Sequence, residues 1–92
     1  MLQEEFSAGL KADDFAQAVR IERPVGYALD EHQHDFDARA LIIAGQITLN
    51  VAGIATTYGV GDVFRLAAGT PHHESAGPDG VTYLSGRRTV AA

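Results

Sequence analysis

Glycine and proline recur at short intervals from residue 20 onward. Because these residues interrupt helices and strands, the chain is limited to folds built from short secondary-structure elements. The segments between them are rich in valine, isoleucine, leucine, threonine and tyrosine. Such a pattern is typical of an all-β sandwich or barrel. We predict strands at residues 19–22, 26–32, 39–44, 46–51, 54–58, 62–66, 72–76 and 81–87, with turns at 52–53, 59–61 and 77–80.

The length of 92 residues suits one domain with a single core. We predict that this domain spans residues 1–92, with its core at 20–88 and an N-terminal arm at 1–19. Cysteine is absent, which excludes disulfides and thiolate metal ligands. A chain this small without disulfides needs a metal, well-formed packing or a partner subunit for its stability.

The net charge of −5 argues against nucleic acid and anionic membranes as partners, because both attract basic surfaces. No apolar run approaches the ~20 residues that span a bilayer. The N-terminus carries Glu4 and Glu5 where a signal peptide would carry basic charge. We therefore expect a cytoplasmic protein whose partner is a small molecule.

The N-terminal arm has one apolar stripe with roughly helical spacing, formed by Phe6, Leu10, Phe15 and Val19. Asp13 and Asp14 are residues of the kind that begin a helix, so a short helix ending near Ala18 is predicted. The arm is expected to be loose and partly helical.

The segment 40–44 reads Ala-Leu-Ile-Ile-Ala and is apolar on both faces. One face can pack inside a barrel, but the other also needs cover. A second copy of the chain would provide it, so a homodimer is expected. The alternative is that the N-terminal arm folds over this face.

All four histidines fall in two clusters, His32-Gln33-His34 and His72-His73. Side chains at positions i and i+2 of a strand project from the same face, so His32 and His34 point together. A third imidazole from a later strand would complete a set of nitrogen donors. Such a set is typical of a transition-metal site.

The spacing of histidines and glycines resembles the two motifs of the cupin superfamily. In the first motif, Gly26 is followed by five residues, then by His32 and His34, and Gly45 closes the motif. In the second, Gly61-Asp62 precedes Gly69 and His72 at the family's distances. The resemblance covers roughly residues 20–88. It implies a double-stranded β-helix, which is a jelly-roll barrel.

The chain departs from the family pattern at three positions. Ala38 stands where the first motif has its glutamate, Ala67 where the second has proline, and Ala76 where it has asparagine. The first departure removes the family's one carboxylate ligand.

The resemblance implies that His32, His34 and His72 bind a divalent transition metal. Fe(II) is favoured, because cupins with three histidines include dioxygenases, while Zn, Ni, Mn and Cu remain open. The implied function is a metal-dependent oxygenase acting on a small chelating substrate. The alternatives are a non-catalytic small-molecule binding or sensing cupin, and a redox-neutral isomerase or lyase.

Glu74 is the main candidate to replace the missing carboxylate, because it follows His72 by two residues and shares its face. It would act as a fourth ligand, as a hydrogen-bond partner that orients an imidazole, or as a general base. Alternatively, a bulge turns it to solvent. Asp37 is a weaker candidate ligand, since its position points away. His73 should lie on the outer surface, with a proton-shuttle role as the less favoured alternative.

Four large residues are expected to line or cap the mouth of the barrel, or simply to fill its core: Phe36, Ile42, Phe64 and Tyr83. Arg39 and Arg65 would recognise an acidic substrate if they faced inward. Otherwise they are surface residues with buried stems.

Overall fold

A computed structural model describes residues 1–90 as one helix and six strands. The helix is α1 (Gln3–Ala12). The strands are β1 (Val19–Arg23), β2 (Ala28–His32), β3 (Phe36–Val51), β4 (Ile54–Tyr58), β5 (Val63–Leu66) and β6 (His72–Thr89). The predicted all-β fold with a partly helical arm is confirmed.

The architecture depends on two long strands, β3 and β6, which pair antiparallel along most of their length. Over one half of this pair, β1 joins the edge of β6 and β5 joins the edge of β3. Over the other half, β2 joins β6 and β4 joins β3. Each half is therefore a four-stranded antiparallel sheet, and the long strands run through both.

Each long strand contains two of the predicted strands. The predicted turn at 77–80 does not separate two strands, because these residues lie inside β6. They form a bulge opposite Gln46, since Gly45 pairs with Val81 and Ile47 pairs with Ala76. The turn-forming composition of this segment thus marks the place where the strand passes from one sheet to the other.

Backbone contact at this crossing requires glycine. Gly45 has a φ of +70°, and a Cβ built on it would lie 2.1 Å from the carbonyl oxygen of Gly80. Gly80 has a φ of +74°, and its Cβ would lie 2.7 Å from the carbonyl oxygen of Arg23. Side chains at these positions would force the strands apart.

The barrel interior holds the main core. Its buried members are Ala40, Ile42, Ile47, Leu49, Phe64, Leu66, Val81 and Tyr83. These residues alternate along their strands with outward-facing positions, as expected for sheets that bury one face.

The helix α1 covers the outer face of β3. Its Phe6 and Leu10 are 2% exposed and pack with Leu41 in a second core cluster. The predicted helix between Asp13 and Ala18 is wrong, because the helix ends at Ala12. Its N-terminal turn carries Glu4 and Glu5, which favour a helix start at that end.

The second apolar face of segment 40–44 is therefore covered at Leu41 by the N-terminal arm, which was the alternative to a partner subunit. The homodimer stays a prediction. Within residues 1–90, no helix combines the length and the apolar character needed to cross a bilayer.

Candidate metal centre

Folding brings His32, His34 and His72 together inside the barrel. One ligand nitrogen from each lies within 4.8 Å of the others. The ring centroids of His32 and His72 are 4.3 Å apart, because the two residues are paired across β2 and β6. Nitrogens that each lie ~2.1 Å from one ion are at most ~4.2 Å apart. A small movement of the rings is therefore enough to let all three bind a single ion.

Hydrogen bonds orient two of the rings. His32 donates its Nδ1–H to the carbonyl oxygen of Asp30 at 2.8 Å, and His72 donates its Nδ1–H to that of Thr70 at 2.9 Å. A carbonyl oxygen only accepts, so the proton of each neutral ring is on Nδ1 and the lone pair is on Nε2. Such bonds are the usual way in which proteins fix the tautomer and direction of a metal-binding histidine.

The surroundings of His72 show whether a metal ion would fit among the three histidines. Its side chain is 1% exposed, and its Nε2 is buried without a hydrogen-bond partner among the described residues. A buried acceptor without a partner costs about 1–3 kcal/mol. A cation bound at this nitrogen would satisfy it, and three imidazoles suit a divalent transition metal.

His34 lies in the connection between β2 and β3, and its ring stacks on Phe36 with a centroid distance of 4.7 Å. Burial lowers the pKa of His34, and the neighbouring His32 and His72 lower it further. A lowered pKa favours the neutral imidazole, which is the form that binds metal.

Glu74 faces the same interior point. Its Oε2 lies 3.6 Å from Nε2 of His72 and 3.9 Å from Nε2 of His32, and its side chain is 11% exposed. The structure therefore contradicts the alternative in which a bulge turns Glu74 to solvent. Both distances are short enough for the carboxylate to share an ion with the two rings.

Tyr27 holds Glu74 in place from the opposite side. Its hydroxyl donates a hydrogen bond of 2.5 Å to Oε1 of Glu74. Burial raises the pKa of Tyr27, and the hydrogen bond and charge of Glu74 raise it further. The phenol is therefore protonated at neutral pH and can donate this hydrogen bond. Sequence reasoning missed this residue.

The reason for the omission is an irregularity in β2. Leu29 pairs with Glu74 and His32 pairs with His72, so two residues of β2 stand opposite His73. This bulge reverses the alternation, and Tyr27, an odd-numbered residue, reaches the pocket that also holds His32. A strict alternation from His32 places Tyr27 on the outside. The one signal in the sequence is that Tyr27 directly follows Gly26, the first residue of the first histidine motif.

Asp37 does not join the histidines. Its carboxylate binds Arg88 at 2.8 Å and accepts the backbone N–H of Ala68 at 2.9 Å. The hydrogen bond from Ala68 lowers the pKa of Asp37, and Arg88 lowers it further. The position of Asp37 therefore does not support the hypothesis that it is a metal ligand.

The other candidate residues named from the sequence lie on the surface, in the core or in the wall of the pocket. His73 and Arg65 are exposed, and Arg39 lies outside the barrel, where it binds Asp13 at 2.8 Å. Ile42 is 1% exposed and belongs to the core, so it does not line the pocket. Neither Arg39 nor Arg65 therefore faces the inside of the barrel.

A cavity of about 150 Å³ adjoins the three histidines and Glu74. Three of the predicted wall residues line it, namely Phe36, Phe64 and Tyr83. It is also lined by Arg23 and Arg87, neither of which was predicted from the sequence to lie at the site. Each pairs with an inner-face residue, Arg23 with Val81 and Arg87 with Ala38.

Several solved structures share this fold. A conserved protein of unknown function from Streptococcus pyogenes aligns at 19% identity and a TM-score of 0.71, over 82% of this chain and 65% of that chain. An RmlC-like cupin from Shewanella frigidimarina aligns at 22% identity and a TM-score of 0.66, over 79% and 65%. The DMSP lyase DddQ from Ruegeria pomeroyi aligns at 25% identity and a TM-score of 0.69, over 77% and 36%.

No family model and no curated protein matches the sequence. The chain spans less than two thirds of the length of each of these three proteins. At such identities the likeness establishes the arrangement of strands, and the chemistry of the longer proteins does not follow from it.

Proposed function

Because this chain has the fold of the cupin superfamily, we propose that it binds a divalent transition metal through His32, His34 and His72 and uses it on a small chelating substrate. One observation carries the proposal. The fully buried Nε2 of His72 has no partner among the described residues and shares its pocket with two further imidazoles.

When bound, the metal supplies Lewis acidity and coordination positions for the substrate. The three imidazoles are neutral ligands, so they leave the charge of the ion to be balanced by Glu74 and by the substrate. Glu74 has two oxygens with different partners, one near the histidines and one bonded to Tyr27. This arrangement would let Glu74 act as a ligand, or accept a proton from the substrate and later return it, while Tyr27 holds the carboxylate in place.

The first reaction class that we propose is oxygenation with Fe(II). Its support is the ligand set, because Ala38 replaces the carboxylate of the first motif and three histidines remain. In this class, Fe(II)-loaded protein consumes O₂ in the presence of a thiol or diketone substrate. Ligand binding without turnover would instead identify a binding or sensing protein.

The second candidate is redox-neutral proton transfer, as in a lyase or isomerase. The observation that favours it is the half-buried Glu74–Tyr27 pair, which places a carboxylate and a phenol beside the histidines. The shared fold with a DMSP lyase is consistent with this class. Measuring substrate turnover without O₂, and with Zn in place of Fe, distinguishes the two candidates. A lyase would remain active under both conditions, and an oxygenase would not.

The metal proposal is tested by two adjacent substitutions. The buried His72 is replaced in His72→Ala, and the exposed His73 is replaced in His73→Ala as the matched control. We expect one metal ion per chain for the wild type and for His73→Ala, and at least tenfold weaker binding for His72→Ala. The measurement is calorimetric titration of metal-free protein with Zn, with circular dichroism to verify folding. Equal affinity in the two variants would refute the site.

A further inference from the structure

Two exposed arginines, Arg23 and Arg87, line the cavity that adjoins the candidate metal centre. The guanidinium of Arg23 is 5.0 Å from the ring centroid of Tyr27, which binds Glu74. The guanidinium of Arg87 is 4.4 Å from the ring centroid of Phe36, which stacks on His34. Each cation is thus held by an aromatic ring that also contacts the centre.

These two cations have no carboxylate partner within residues 1–90. The ion pairs made by other arginines use Glu22, Asp13 and Asp37, and none of them involves Arg23 or Arg87. Glu74 is the single acidic residue among those that line the cavity, and its Oε1 accepts the hydroxyl of Tyr27. The guanidinium donors at the cavity are therefore available to a ligand.

The charge of the pocket is opposite to that of the whole chain. The chain carries a net charge of −5. The cavity is lined by two arginines and one glutamate, and a divalent ion at the histidines would add two positive charges. An anion is the ligand that such a pocket favours, and the planar guanidinium matches a carboxylate with two parallel hydrogen bonds.

The cavity has a volume of about 150 Å³ and opens to solvent, so it has room for a small anion beside the histidines. We infer that the ligand is a small carboxylic acid, which binds the metal at one end and is paired by Arg23 and Arg87. The inference rests on the proposed function, because the metal provides the other half of the recognition.

Malonate and its neutral counterpart malonamide are suitable probes, because they have the same number of heavy atoms and differ in charge. We expect Zn-loaded protein to bind malonate at least about tenfold more tightly than malonamide. Arg23→Gln and Arg87→Gln should each weaken malonate binding by about tenfold, the size expected for loss of one charge-assisted hydrogen bond. Zn affinity should not change. The measurement is calorimetric titration of each ligand.

Arg65→Gln is the matched control. Arg65 is exposed and pairs with Arg39 on the outer face of the sheet, away from the cavity. It should leave malonate binding unchanged, and Arg→Lys at the two pocket positions should restore part of the affinity. Equal binding of malonate and malonamide, or equal losses in Arg65→Gln and Arg87→Gln, would overturn the inference.

A failure of the metal site would be seen separately, in the Zn titration. In that case malonate is titrated into metal-free protein, and the NMR signals of the arginine Nε–H groups are followed. Selective shifts at Arg23 and Arg87 would support the anion site without the metal. Shifts no larger than those of Arg65 would refute it.

Discussion

Side chains at this site are positioned by one partner that is distant in the sequence and by two that are close. Tyr27 and Glu74 are separated by 47 positions, yet their hydrogen bond fixes the carboxylate beside His32 and His72. The backbone oxygens of Asp30 and Thr70 do the same for the two imidazoles. The orientation of Glu74 therefore depends on the folded barrel, whereas the two imidazoles are oriented by the local backbone.

Tyr27→Phe removes the hydroxyl that binds Glu74 and leaves a half-buried carboxylate oxygen without this donor. We expect a loss of about 1–3 kcal/mol in the free energy of unfolding of the metal-free protein. The measurement is urea denaturation at pH 7 in the presence of a chelator. Tyr58→Phe is the control, because no side-chain hydrogen bond is made by Tyr58 within the described residues. Equal stability of the two variants would show that the Tyr27 bond contributes nothing.

Among the elements, α1 has a structural function in the barrel. Leu10 packs against Gly86 of β6 so closely that a Cβ on this glycine would lie 2.8 Å from the methyl groups of Leu10. Phe6 and Leu41 complete the contact. The helix is thus a cover for the outer face of the two long strands, and its removal would expose Leu41 to water.

Leu10→Ala should lower the free energy of unfolding by about 2–5 kcal/mol, the usual cost of truncating a buried leucine. Thermal and urea denaturation measure the change. Leu2→Ala is the control, because Leu2 precedes the same helix and is 68% exposed. If the two substitutions had the same small effect, α1 would not be docked as described.

At the scale of the whole molecule, the proposed metal site forms only on folding. Its ligands come from the end of β2, the following connection and the start of β6, and pairing of these strands brings them together. A metal that binds the folded chain and not the unfolded chain stabilises the fold. We therefore expect metal binding at the proposed site to stabilise the fold.

Addition of Zn at 100 times its dissociation constant should raise the free energy of unfolding of the wild type by about 2.7 kcal/mol. Differential scanning calorimetry measures the corresponding rise in Tm. The His73→Ala variant should respond like the wild type, and His72→Ala should not respond. A similar rise in Tm for His72→Ala would mean that Zn stabilises the protein from some other position.

Much of the fold was predictable because it depends on local chemistry. The predicted turns at 52–53 and 59–61 do separate strands, and the spacing of the two histidine motifs with their glycines indicated the barrel fold of the cupins, which is confirmed. The same spacing placed His32, His34 and His72 at one point, and they do lie together. Their role as metal ligands and the role of Glu74 stay predictions.

By itself, the sequence determined the strands, the barrel and the meeting of the three imidazoles, since residue spacing and alternation specify these features. The tertiary structure decided the rest. The bulge in β2 brought Tyr27 to Glu74, the crossing of β6 joined two predicted strands into one, and the docking of α1 covered Leu41. Strand irregularities and packing depend on contacts between distant residues, so alternation along one strand does not reveal them.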